Sequence, residues 1–339
     1  MKSFKRIVTA VAFCLAILIF LAAWAGGAAG AAENQDYDCE PATQEYQKKA
    51  LSAIEESLLT EADRLHASPA AIIADSYIVE SSNGKFYLRS SNGISSGYNS
   101  LSELLDIISE NSLLNFSDVV SDEALLISKP LTLSGTLTLT GQGISSESQL
   151  MLNRLNLTLK EGSLRVKSGS LTVCDSRVDA YGESALVLDY SSGARAELHS
   201  GSIAQHSARP AALVERGTLR ICGGIISSEY SYAVKSLATL ELSGSAQLSG
   251  YTYAVSTDNP IRLFADGIGF EGALSVIYEK DFAEGSFTPV FYGARNENIE
   301  DIALYDKTGE RKELEYFEEN SYTDDKSVLA VYLPYRAYF

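Results

Sequence analysis

Apolar and polar residues alternate in short runs along most of this chain, and the runs recur. In LTLSGTLTL (131–139), Leu131, Leu133, Leu137 and Leu139 alternate with Thr and Ser. A period of two marks a strand with one face buried and the other solvated. The pattern returns at Leu155–Leu157–Leu159, Leu164–Val166, Leu171–Val173, Ala196–Leu198, Leu219–Ile221, Leu240–Leu242 and Ile261–Leu263. It is most explicit from Leu219 to Thr257, where LRICGGIISSEYSYAVKS is followed, at an offset of 21, by LELSGSAQLSGYTYAVST. Leu219 maps onto Leu240, Gly223 onto Gly244, and Tyr230, Tyr232 and Val234 onto Tyr251, Tyr253 and Val255. One such unit cannot bury its own apolar face, so units must stack and share a core.

Within each unit a Gly or Ser corner follows the anchor pair. Then come a further apolar residue (Val178, Ile203, Ile226, Leu248), a polar loop and a third strand (Ala185–Leu188, Ala211–Val214, Ala233–Val234, Ala254–Val255). The second anchors Val173, Leu198, Ile221, Leu242 and Leu263 are 25, 23, 21 and 21 residues apart. Three strands per coil with loops of varying length predict an all-β fold, a single-stranded parallel β-helix. It should be right-handed, because parallel crossovers nearly always are. Leucine-rich repeats would need helix formers and a fixed Asn ladder, which the chain lacks. At roughly 22 residues per coil, residues 124–278 hold about seven coils.

The flanks read differently. Lys2, Lys5 and Arg6, an apolar run from Ile7 to Ala25, and GGAAGAA describe an export signal over residues 1–32, cleaved after Ala31 or Ala32. The run is also long enough for an uncleaved membrane anchor. Residues 33–99 hold an amphipathic helix over 41–65 and a hairpin pairing Ser76–Val79 with Lys85–Arg89 around Ser82-Asn83-Gly84. A short helix over 100–109, capped by Ser100 or Ser102 and apolar at Leu101, Leu104, Leu105 and Ile108, opens the solenoid of 100–278. From Glu279 the coil spacing is lost, and residues 279–339 predict a small β cap or appended β domain. The open end of a solenoid needs such a cap, since unpaired edges invite aggregation.

The passage SLSELLDIISENSLLNFSDVVSDEALLISKPLTLSGTLTL resembles the entrance to right-handed parallel β-helix proteins of the pectate-lyase-like superfamily. In many bacterial surface proteins of that kind, a short helix caps the first coils. The resemblance covers roughly residues 100–280 and implies a secreted or cell-surface bacterial protein. It also implies a possible polysaccharide lyase or glycoside hydrolase, because enzymes on this fold act on acidic polysaccharides.

Composition narrows the choice. The formal charge of −17 becomes −20 once the three cations of the leader are removed, which argues against nucleic acid or an anionic membrane as partner. Cys14 lies in the leader, and Cys39, Cys174 and Cys222 cannot all pair. LTVC and LRIC put Cys174 and Cys222 at equivalent places two coils apart, roughly 9–10 Å, too far for a disulfide.

Enzymatic work on this fold needs carboxylates clustered on adjacent coils. The outward anchor positions instead give Glu197, Arg220, Glu241 and Arg262, which read as a charge ladder. His66, His199 and His206 predict no metal site, no cofactor is implied, and Cys174 beside His199 has no third group to orient it. The candidate binding residues are therefore Tyr230, Tyr232, Tyr251 and Tyr253, two per coil on adjacent coils, expected on one side of the strand. Aromatic faces with hydroxyls suit sugar rings, while a ladder that only stabilises stacking is the bland alternative. The expectation is a non-enzymatic, monomeric, adhesin-like solenoid whose partner is a glycan or a cell-surface protein. A lyase or hydrolase, or a purely structural spacer, are the alternatives.

Overall fold

The computed structural model describes residues 75–90, 93–95, 97–263, 273–282, 284–293, 298–318 and 327–333. The leader, the helix expected over 41–65, Cys39 and residues 334–339 lie outside these. The described residues are all-β, with parallel strands stacked as a β-solenoid of about eight turns.

Each coil has three faces. On the first, Leu114, Leu133, Leu152, Val173, Leu198, Ile221, Leu242 and Leu263 lie in register, one per coil. On the second the column is Val119, Leu137, Leu157, Val178, Ile203, Ile226 and Leu248. On the third it runs Leu125, Ile144, Leu164, Leu186, Ala212, Val234, Val255, Val276 and Leu304. All of these side chains are buried. Like residues therefore sit on like residues at the strand spacing of about 4.8 Å, and the anchors assigned from the repeat keep their assigned register.

The corner between the first and second faces is tight. Each coil turns there through one residue in the left-handed region: Asp118, Gly135, Arg154, Asp175, Gly201, Gly224 or Gly244. A Cβ at Gly201 would run into the carbonyl oxygen of Ser176 one coil below, which is why glycine recurs at this place. Outward on the first face, Glu197, Arg220, Glu241 and Arg262 follow one another in register, the alternation expected of them.

At the N-terminal end, strands β1 (Ser76–Ser82) and β2 (Lys85–Ser90) form the expected hairpin. Asn83 and Gly84 both take positive φ at its tip, as a two-residue turn between twisted strands requires. β2 also pairs with β3 (Gly93–Ile94). Beyond that expectation, β1 lies parallel to β4 (Ser112–Ser121), so the hairpin supplies the first rung of the solenoid. Helix α1 (Leu101–Ile107) covers the buried end, with Ser100 as its N-cap. Its remaining amides go to Glu123, whose carboxylate accepts from Leu101 N (2.8 Å), Ser102 N (3.1 Å) and the Ser102 hydroxyl (3.0 Å). At its other end the Lys129 ammonium donates to the Asp106 and Ile108 carbonyls. Opposite charges thus close both helix termini.

At the C-terminal end the coils run further than their spacing announces. Phe287–Tyr292 lies parallel to Ile261–Leu263, and Ile302–Asp306 lies parallel to Leu274–Tyr278. The in-register pair Ile261 and Phe291 is 30 residues apart, and insertions of that size hide the 21-residue period. The ladder then closes with antiparallel strands Arg311–Lys312, Glu315–Glu318 and Ser327–Tyr332. Asp306 fixes this end: it accepts from Thr308 N and Oγ1 and Glu310 N, and pairs with Lys312 at 2.9 Å.

Candidate functional site

The turn from the second to the third face is the open corner of the coil. Its first residues are Thr140, Lys160, Tyr181, His206 and Glu229, whose amides donate to Ser121, Leu139, Leu159, Ala180 and Gln205 one coil before. Five side chains are thereby aligned along the solenoid axis, and the last four interact in sequence. The Lys160 ammonium sits 4.3 Å above the Tyr181 ring, a cation–π contact. Tyr181 stacks on His206 at 4.7 Å and 21°. His206 Nδ1 meets Glu229 Oε1 at 2.7 Å, and its Nε2 meets Asp179 Oδ1 at 3.2 Å. Arg177 grips the same Asp179 at 2.6 and 3.2 Å.

A ring with a carboxylate at each nitrogen satisfies both only as imidazolium, because neutral histidine has one donor. Partial burial works against that charge. The hydrogen bonds to Glu229 and Asp179 outweigh it and hold the His206 pKa above the ordinary imidazole value.

The tyrosines occupy the coil of Glu229 and the one after it at this corner, and they divide into an outer and an inner pair. Tyr230 and Tyr251 are exposed, at 60% and 75%. Tyr232 and Tyr253 are half-buried. The expected placement on one side assumed strand alternation, but these residues lie in a bend ahead of the third-face strands, where period two does not hold. Tyr251 N donates to Ser231 O, which ties the two tyrosine-bearing turns together.

One of the inner pair meets a residue from the C-terminal coil. Tyr253 packs against Tyr305 at 4.9 Å and 49°. Ser256 donates to Glu279 at 2.8 Å beside it. The Tyr232 phenol is pushed above its ordinary value, first by burial, then by Glu279 and Tyr253. Among the described residues no ring contact joins Tyr230 to Tyr251 or Tyr232 to Tyr253, so the strip is not a stacked ladder.

The structure adds Tyr181, His206, Tyr305 and Glu279 to the four tyrosines named from the sequence. Aligning coils on the second face would have found the first two, because Ala180 and Gln205 are in register and each is followed by a ring. The histidines take their carboxylates differently. His199 bonds Glu197 on its own strand at 3.1 Å, whereas the partners of His206 come from the coils on either side. Glu197 is also held by Arg195 at 2.6 Å. Burial raises its pKa, but His199 and Arg195 together bring it below the usual carboxylate value.

Cys174 and Cys222 are thiols, not joined in a disulfide, and lie two rungs apart as expected. Among the described residues no three His, Cys, Asp or Glu side chains converge as a metal-ion set. No family model, no curated protein and no solved structure matches this chain.

Proposed function

We propose that this is an exported, non-catalytic solenoid of the cell surface that binds glycan along its open corner. The observation that carries the reading is the division of the tyrosines. Tyr232 and Tyr253 are half-buried, the latter packed on Tyr305, while Tyr230 and Tyr251 stand largely in solvent. Exposed and half-buried rings with their phenol hydroxyls, and the half-buried Glu279 carboxylate beside Tyr232, offer apolar faces and hydrogen-bonding groups together. The carboxylates along the corner favour binding over catalysis: Asp179 and Glu229 are occupied by His206 and Arg177 as ion-pair partners, not poised for proton transfer. The N-terminal sequence supports export. A glycan array probed with the mature chain, alongside the Tyr230→Ala/Tyr251→Ala variant, tests the reading. Binding that the double change weakens by roughly tenfold to a hundredfold supports it. Full affinity in the variant, or binding to no glycan, refutes it.

A further inference from the structure

The same corner carries a second recess, three coils toward the N-terminus. A trough of about 390 Å³ opens there, lined among others by Gln142, Ser145, Glu161, Arg165 and Glu183. Its floor is backbone. Gly141 and Gly162 lie on successive coils, and a Cβ on either would collide with the main chain of the coil below, at Asp122 and Gln142 respectively. The walls are an amide, a hydroxyl, a guanidinium and two carboxylates, groups that pair with hydroxyls from the side. The trough abuts the aromatic column directly. Glu161 follows Lys160, and Glu183 lies two residues beyond Tyr181, whose ring is 46% exposed.

We propose that this trough is a second subsite for the same ligand, so that the ligand is a linear, uncharged glycan lying along the axis from Gln142 to Tyr251. The inference rests on the glycan reading above and adds length and charge to it. Length follows from register. Five strand-to-strand steps separate the coil of Leu139 from that of Leu248, roughly 24 Å at the sheet spacing. Tyr181, stacked on His206 and 46% exposed, fills the interval with its edge and hydroxyl.

Charge follows from how the cations are used. Arg165 is paired with Asp189, Arg177 with Asp179, Arg209 with Glu183 at 3.8 Å, and His206 with two carboxylates. Lys160 rests on the Tyr181 ring. An acidic sugar chain would have to displace one of these partners while approaching Glu161, Glu183 and Glu229, on a chain of formal charge −17. An uncharged chain meets no such opposition.

Titration calorimetry of the full chain with cello-, manno- and xylo-oligosaccharides, from disaccharide to octasaccharide, tests this. Uronic-acid oligomers of equal length, at low salt, provide the charge comparison. Affinity is expected to rise with length until both recesses are spanned, then level off, with the uronic-acid series weaker throughout. Gln142→Ala with Glu183→Gln should lower octasaccharide affinity about tenfold, leave the disaccharide unchanged, and leave the melting temperature near that of wild type. Affinity independent of length, or an octasaccharide indifferent to that double change, overturns the second subsite. If Tyr230→Ala/Tyr251→Ala still weakens binding in that case, the glycan reading survives alone. Tighter binding of the uronic-acid series overturns the charge assignment, and no binding by any of the oligosaccharides overturns both inferences.

Discussion

Each coil of this solenoid has two inner corners that meet different demands. The corner between the first and second faces is a single left-handed residue packed close to its neighbour, glycine in four of the seven described coils and Asp or Arg in the other three. The corner between the second and third faces is longer. Its turns lengthen from Thr140–Gln142 to His206–Ala211, and its side chains project outward as Lys, Tyr, His, Glu and Tyr. Stacking fixes the first corner completely. It fixes only the start of the second, so variation there costs the core little, and chemistry collects where the scaffold leaves residues free.

The sharpest way to break that contrast is from the core side. Leu242 is fully buried in the first-face column, and Leu242→Asp should destabilise by about 4 kcal/mol or more. Circular dichroism within a degree or two of the wild-type melting curve would mean the register is wrong. At the tight corner, Gly201→Ala should cost about 2–3 kcal/mol, from its φ of 99° and the collision with Ser176. Chemical denaturation reads this, and a neutral result would deny that the corner is sterically closed.

Glu123→Ala removes the acceptor of three hydrogen bonds at the start of α1 and should cost about 1–2 kcal/mol. Hydrogen exchange should locate the loss in residues 101–107. At the open corner the expectation reverses. Tyr230→Ala and Tyr251→Ala should each change stability by less than about 0.5 kcal/mol, and a larger loss would make the ridge structural.

The smallest effect concerns pH. His206 has a folded-state pKa above its unfolded value, so its ion pairs add stability that is fully present below the unfolded pKa of about 6.5. That contribution is lost as pH rises through the folded pKa. The stability difference between wild type and His206→Gln should therefore shrink on going from slightly acid to mildly alkaline solution. A difference that grows over this range would contradict the clamp.

The repeat was legible because stacking imposes it. Leu219 and Leu240 occupy one place on adjacent coils, and the inward columns are filled throughout by apolar residues. Ser100 as cap and Asn83-Gly84 as turn were legible from local chemistry. The continuation through Phe291 and Leu304 was not, since insertions between coils are free to vary and erase the spacing without disturbing the register. Tyr253 could be named from its motif. Its partner Tyr305, more than fifty residues on, could not, because a contact between non-adjacent coils leaves no periodic trace. The clamp on His206 escaped for a related reason: its carboxylates belong to other coils, so no spacing within one repeat reveals it.

The stacked register also makes the molecule a graduated rod. Because segments 219–236 and 240–257 share one pattern, a whole coil can be added while the inward columns keep their register. Each such event moves everything beyond it along the axis by one fixed increment of about 4.8 Å. The separation between the glycine-floored trough and the exposed tyrosines therefore cannot drift continuously. It changes only in whole steps, and a lineage that duplicated one coil would alter the reach of its surface while keeping every side chain of it.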